Sequence, residues 1–267
     1  MLSAIVLELE AVKPAALPVS HGAMAYAAAL DLFMRYDVEM ARQLHDNQGL
    51  KPLKVGLVTG KLREHERCLL IPAGAVVQWR LAGIAANVAN SLRQMSPQGG
   101  VRLGDGLFEI KNIYTATTKH RYAGYTTYPE LAAKWHQCTR LPSTITLDFV
   151  TPATFRSGKH EQPFPVPELV FQSLTRQWEA WSPVPLPDCE QSLFKESVAL
   201  GNWRGETRRV ELGGRRTVGF VGTFSYRLLD KTPELARRLG LLSDFAFYAG
   251  VGWQTAHGLG QVLATSK

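Results

Sequence analysis

The sequence predicts an α+β fold of two tandem β-α-β-β-α-β units that ends in a glycine-rich loop. Three observations carry that expectation. Period-two apolar alternation is interleaved with segments at helical spacing, the same order recurs in both halves, and a polar, turn-rich stretch separates them. The chain has 267 residues, 45% apolar and 20% charged, an ordinary globular composition that excludes a disordered or fibrous chain. Its longest comparable apolar stretch, residues 81–89, falls well short of the roughly 18 residues a membrane span needs. No membrane partner is expected.

Residues 2–10 alternate around Ile5, Leu7 and Leu9 like a strand. The same segment lacks a basic n-region and carries Glu8 and Glu10, so it does not read as a signal peptide. A helix is expected over 22–34, and a second, short helix after Asp37 as its cap, with Met40, Ala41 and Leu44 on one face. Gly49 punctuates its end. A strand over 53–58 follows, and a hairpin around Pro72-Ala73-Gly74 joins 68–71 to 76–81. A helix over 84–94 and a strand over 107–114 complete a ferredoxin-like, or RRM-like, unit at residues 1–120. The polar, turn-rich stretch TATTKHRYAGYTTYP marks a linker at 121–142. The second unit, 143–267, repeats the order: a strand over 145–150, a helix over 168–181, a long hairpin over 198–226, a helix over 234–243 and a last strand near 245–250. Cys68, Cys138 and Cys189 are odd in number and far apart, which suits reduced, mostly buried thiols in a cytoplasmic protein without metal or cofactor.

The formal charge is +7, and residues 201–267 hold ten Lys/Arg against five acids. Arginine dominates there, and its planar fork suits phosphate oxygens. Arg208, Arg209, Arg215 and Arg216 flank the Gly213-Gly214 tip of the long hairpin. Such a basic finger could enter or straddle a nucleic-acid groove, or stand solvated and touch nothing. Several enzyme signatures are absent: His65-Glu66 lacks the second histidine of H-E-x-x-H, Gly60-Lys61 opens no P-loop, and no G-x-S-x-G elbow occurs. The tail GVGWQTAHGLGQV places Gly250, Gly252, Gly258 and Gly260 within eleven positions. That density allows positive φ and exposed amides, an anion-binding concavity in which Trp253, Gln254, Thr255 and His257 could meet a base or phosphate. A tight connection without a ligand is the alternative.

The segments SHGAMAYAAAL, ARQLHDNQGLKPLKV, DFVTPATFR, PFPVPELVFQSLTRQW, GFVGTFSYRL and FAFYAGVGWQTAHGLGQV give the chain a family resemblance over most of its length. It resembles the CRISPR-associated (Cas) endoribonucleases of family six, in the RAMP superfamily, and the glycine-rich tail is the most specific part. The resemblance implies two ferredoxin-like domains. It also implies metal-independent cleavage of CRISPR precursor RNA within its repeats by attack of a 2′-hydroxyl, leaving a 2′,3′-cyclic phosphate and a 5′-hydroxyl. The implied partners are precursor and mature repeat RNA, with an effector complex and a second copy of the chain as further candidates.

On that resemblance His45, in LHDNQG, matches the family's catalytic histidine and Lys51 the position that supplies a cation to the scissile phosphate. A neutral imidazole suits a general base. Read from the residues alone, the pair would be a helix-terminal histidine and a surface lysine. Some members add a tyrosine in the first helix; the aligned position here is Leu30, with Tyr26 and Tyr36 out of register. His21, matching a histidine of some relatives, would act as general acid or only cap the helix. Arg156 and Lys159 are candidate phosphate contacts or solvated loop charges, and Phe220, Phe224 and Tyr226 faintly resemble a base-stacking strand, although alternation argues for burial of at least two. The rival functions are a catalytically inactive repeat-RNA-binding subunit and a general tandem-RRM protein.

Overall fold

A computed structural model describes residues 1–158, 160–186, 192–212, 215–230 and 232–265. It divides into two compact units, residues 1–125 with 256–258, and residues 126–255 with 259–267. In the first, the chain runs β1 (Leu2–Ala11), β2 (Ala15–Pro18), α1 (Gly22–Tyr36), α2 (Val38–Asp46), β3 (Leu53–Val55), β4 (Arg63–His65), β5 (Cys68–Ile71), β6 (Val76–Gly83), α3 (Ala86–Gln94), β7 (Gly100–Leu103) and β8 (Gly106–Tyr114). The main sheet has the order β3-β6-β1-β8-β7 with antiparallel neighbours. Strands β3, β6, β1 and β8 are the second, third, first and fourth of a β-α-β-β-α-β unit, which is the ferredoxin-like order. β1 is central and its residues are buried almost throughout, whereas the short edge strand β7, in which only Val101 and Leu103 are buried, closes the sheet. Trp79 is fully buried and donates from Nε1 to the Gly56 carbonyl at 3.0 Å, so the core's largest ring leaves no donor unpaired.

The hairpin expected between 68–71 and 76–81 does not form. β5 pairs with β2 and β4 in a separate three-stranded sheet. The Pro72–Gly74 turn instead hands the chain from that sheet to the main one, and Gly74 N–H and Ala75 carbonyl both bond to Ala11.

A short strand, β9 (Gly124–Thr126), adds to β1 of the first unit's main sheet. The second unit continues with α4 (Tyr128–His136), β10 (Thr144–Ala153), β11 (Phe155–Ser157), β12 (His160–Gln162), α5 (Pro167–Trp181), α6 (Leu193–Glu196), β13 (Val198–Leu212), β14 (Arg215–Leu228), α7 (Pro233–Ala249) and β15 (Val262–Thr265). Its sheet order, β13-β14-β10-β15, repeats the same second-third-first-fourth arrangement. The stretch expected as a linker contains α4, opened by a capping box between Thr127 and Glu130. α4 packs on α7, where Gly240 leaves room for the Trp135 ring and Asp244 accepts from Trp135 Nε1 at 2.7 Å. The strand expected near 245–250 is the last turn and a half of α7. Leu235, Leu239, Leu242, Ala246 and Ala249 continue one helical stripe, and the helix is buried nearly all round. The fourth strand is therefore β15, after the glycine-rich loop. Phe220, Phe224 and Tyr226 are all buried against Phe149 and Phe171, so none offers a face to a base. Cys68 and Cys138 are half-buried free thiols, and Cys189 lies outside the described residues. Among the described residues no helix is long and apolar enough to cross a membrane.

Candidate functional site

The first unit builds its candidate site at the C-terminal end of α2. Asp37 starts that helix by accepting from Met40 N–H at 2.9 Å, and Met40, Ala41 and Leu44 bury its inner face. His45, one residue past Leu44, is thereby turned to the exposed side. It lines a shallow cavity of about 210 Å³ with Leu30, Asp31, Met34, Ala41, Arg42 and Asp46. Leu30 therefore stands at the same cavity as His45 and offers it no polar atom. Arg42, one helical turn before His45, was not singled out from the sequence; its i, i+3 spacing was the available signal.

Helix α2 ends with carbonyls that lack an intrahelical donor. Lys51 supplies one: its Nζ donates to the carbonyls of Leu44 (3.2 Å) and Asn47 (2.7 Å), the residues on either side of His45-Asp46. The ammonium lies 5.2 Å from the centroid of the Tyr26 ring. Partial burial lowers the Lys51 pKa from its ordinary value. The short helical turn Thr255–His257 sets His257 against Tyr26, with ring centroids 4.9 Å apart and the planes tilted by 52°. Burial, and then the Lys51 charge, lower the His257 pKa and favour its neutral form. Gly22 makes this contact possible, because a Cβ there would overlap the His257 carbonyl.

His21 does not join this group as a proton donor. Its side chain is 1% exposed, Nδ1 donates to the Pro18 carbonyl at 2.8 Å and Nε2 accepts from Val58 N–H at 2.8 Å. Both nitrogens are thus occupied in the neutral tautomer, and burial lowers its pKa. Nor does the side chain cap α1. His21 is a structural pin between three segments.

The glycine-rich loop differs from the anion-binding concavity expected of it. Gly250, Gly252, Gly258 and Gly260 all have positive φ, so the need for glycine is real. Their crowding is with protein, however: a Cβ at Gly260 would overlap the Val251 carbonyl, one at Gly252 would press on the Thr154 carbonyl, and one at Gly258 on Leu57. The amides are bonded inside the protein as well. Gly250 N–H donates to Ala246, Val251 to Gly260, Gly252 to Ser173 Oγ, Trp253 to Thr154 and Gly260 to Pro152. What this loop presents is side chains. Trp253, Gln254 and His257 are half-buried, Thr255 is buried, and Gln254 holds a left-handed φ of 59°. Arg156 lies over the Trp253 ring at 5.6 Å, so two candidate RNA contacts are brought together; Lys159 lies outside the described residues.

On the long hairpin, the register pairs Arg208 with Gly219, Arg209 with Val218, Glu211 with Arg216 and Leu212 with Arg215. Directly paired residues share a face and neighbours alternate. Arg208 and Arg215 therefore occupy one face and Arg209 and Arg216 the other, all four exposed, with Arg208 held by Glu206 at 2.8 Å. The Gly213-Gly214 tip lies outside the described residues. Among those described, no three His, Cys, Asp or Glu side chains converge as metal ligands.

A family profile described as CRISPR-associated endoribonuclease Cas6 matches residues 147–262. A CRISPR-associated endoribonuclease Cas6 of Mycobacterium tuberculosis is 30% identical over 119 residues, which cover 43% of this chain and 37% of that protein. The match thus takes in little more than a third of that curated relative's length. Similarity to solved structures runs over the whole chain. A Cas6 product complex is 30% identical, with a TM-score of 0.78 and coverage of 99% of both chains. Thermus thermophilus Cas6 is 26% identical, with a TM-score of 0.76 and coverage of 99% of this chain and 98% of that one. Full-length likeness at 30% identity, together with two ferredoxin-like units in tandem, places the chain in the CRISPR-associated endoribonuclease Cas6 family.

Proposed function

We propose that the protein is an endoribonuclease that cuts CRISPR precursor RNA within its repeats, using the 2′-hydroxyl beside the scissile phosphate as nucleophile. The observation that supports this most is the end of α2, where an exposed histidine beside a cavity and a lysine anchored on adjacent carbonyls share one helix terminus. His45 takes the proton of the 2′-hydroxyl, the 2′-oxygen bonds to phosphorus and the bond to the 5′-oxygen breaks. The products are a 2′,3′-cyclic phosphate and a 5′-hydroxyl, whose proton comes from the imidazolium or from water, since both nitrogens of His21 are occupied. Two of the three Lys51 N–H groups hold α2, which leaves one to face a phosphate oxygen as its charge grows. RNA carries its own nucleophile, so this chemistry calls for no metal. Arg156 with Trp253, the hairpin arginines, and Gln254 and His257 are the side chains proposed to grip the strand. Precursor and mature repeat RNA are the partners on this reading, and the product passes to an effector complex in the cytoplasm.

The test is cleavage of cognate repeat RNA in EDTA by wild type and by His45→Ala. The variant should lose about 10²- to 10⁴-fold in rate with RNA affinity nearly intact. A 2′-deoxy substitution at the scissile nucleotide should abolish cutting, and persistent cleavage would assign the nucleophile elsewhere. A second reading, a repeat-binding subunit without activity, is favoured by Leu30 at the cavity, where some relatives carry a tyrosine. Tight binding of every cognate repeat without any product would establish it.

A further inference from the structure

Tyr26 has no part in the chemistry described above, yet it touches the proposed apparatus on three sides. It lies on the buried face of α1 with Gly22, Ala29 and Phe33, and is 7% exposed. A buried phenol needs an acceptor. Its hydroxyl finds one in the Leu44 carbonyl at 3.1 Å, the same oxygen that accepts from Lys51 Nζ at 3.2 Å. The ring passes below the Lys51 ammonium at 5.2 Å, within the range of a cation–π contact, and its other neighbour is His257. One side chain thus bonds the helix end that carries His45, offers its ring face to the ammonium and contacts a second imidazole.

We propose that Tyr26 is a positioning residue that holds the Lys51 ammonium at the end of α2, where the scissile phosphate is to meet it. The inference rests on the role proposed for Lys51. Tyr26 acts through Lys51 and not on the substrate: its hydroxyl is committed to Leu44, and burial pushes its pKa up to about 12, so it neither gives nor takes a proton near neutrality. The groups facing Lys51 are the Tyr26 ring from α1, the Leu44 and Asn47 carbonyls from α2 and its C-cap, and His257 from the short C-terminal turn. Burial pulls the Lys51 pKa down, and the carbonyls and the ring oppose that pull. Removing the ring should therefore lower it further. Removing only the hydroxyl should loosen the geometry and leave the ring's contribution in place.

The experiment compares Tyr26→Phe and Tyr26→Leu in the full chain. It reads single-turnover cleavage of repeat RNA, RNA affinity, the pH–rate profile and the titration of Lys51 by NMR of lysines labelled at Cε. Tyr26→Phe should cleave about 5-fold more slowly with affinity within about 2-fold, and its alkaline limb should stay in place, as expected for loss of one hydrogen bond with the ring retained. Tyr26→Leu should be slower still and should move both the alkaline limb and the Lys51 midpoint down by about half a pH unit or more. An unchanged Lys51 midpoint in folded Tyr26→Leu overturns the proposal, as does a parallel loss of affinity and rate in both variants. The NMR titration needs no cleavage. Were the wild type inert toward repeat RNA while the Lys51 midpoint still followed the ring, the catalytic reading would fall and the positioning contact would stand.

Discussion

His21→Ala separates a structural histidine from a catalytic one, and its cost can be worked out from the two bonds it breaks. Truncation leaves the Pro18 carbonyl and the Val58 N–H buried without their partner. A buried polar group left unsatisfied costs about 1–3 kcal/mol, so the pair amounts to about 2–6 kcal/mol before any cavity is counted. At about 3 °C per kcal/mol for a chain of this size, the melting temperature should fall by about 6–18 °C. At 25 °C, below the transition, the cleavage rate of the surviving folded protein should stay within a few-fold of wild type. The pH dependence gives a second reading. Burial holds the folded-state pKa of His21 below the ordinary 6.5, so as pH falls below that value the unfolded chain takes up a proton that the folded chain refuses. The contribution of His21 to stability is complete above about pH 6.5 and is lost as pH drops from there toward the lowered value. Urea midpoints at pH 7.5 and 5.5 should therefore lie further apart in wild type than in His21→Ala. An unshifted melting temperature combined with lost cleavage would refute the assignment and return His21 to the chemistry.

Other perturbations probe the remaining claims. Gly74 and Gly260 share a left-handed φ of 75° and 65°, yet a Cβ at Gly74 meets nothing within 4 Å while one at Gly260 overlaps the Val251 carbonyl. Gly74→Ala should cost only the backbone penalty of about 1–2 kcal/mol and Gly260→Ala clearly more; equal melting temperatures would show that the loop has room to yield. Lys54 is buried on β3, and burial lowers its pKa to about 7, so between pH 7 and 10.5 the unfolded chain binds a proton that the folded one does not. Wild type should gain stability as pH rises through that window, and Lys54→Met should flatten the rise; parallel curves of urea midpoint against pH would mean that Lys54 is solvated. On the hairpin, Arg209→Ala with Arg216→Ala should lower the slope of log affinity against log salt by about 1.4–1.8, and Arg208→Ala with Arg215→Ala by less, because Glu206 already engages Arg208. Equal effects of the two pairs would show a hairpin that straddles its ligand with both faces.

The elements that could be read locally are those whose pattern is local. Both ferredoxin-like units follow from strands and helices of ordinary amphipathic character, and the Asp37 cap and the long hairpin were legible residue by residue. The misses have physical causes. Helix α4 carries its start signal in Thr127 and Glu130, but Gly, Thr and Tyr around it imitate a linker. The end of α7 reads as a strand because a helix buried on nearly every side loses its polar stripe, leaving Phe245, Phe247 and Tyr248 to suggest β structure. β5 reads as the partner of β6 because the Pro72–Gly74 turn is compatible with pairing to either neighbour, and only the bonds from Gly74 and Ala75 to Ala11 decide.

For the site, what stayed hidden was which partners each polar atom had already taken. Four glycines within eleven positions correctly signalled positive φ, since that constraint belongs to the glycine itself. Whether the amides of Gly252, Trp253 and Gly260 were available depended on Ser173, Thr154 and Pro152, about eighty to one hundred and ten residues earlier in the chain, and those partners had taken them. His21 and Tyr26 show the same dependence on distant partners, one bonded to Val58 N–H and the other to the Leu44 carbonyl. His45 and Lys51, by contrast, were legible as a pair only through the family resemblance, because spacing alone fits a frayed helix end equally well. Lys51 bonds the Leu44 and Asn47 carbonyls over the Tyr26 ring, which is also how a lysine closes a helix C-terminus, so the cleavage rate of His45→Ala, and not this geometry, separates a catalytic end of α2 from a merely capped one.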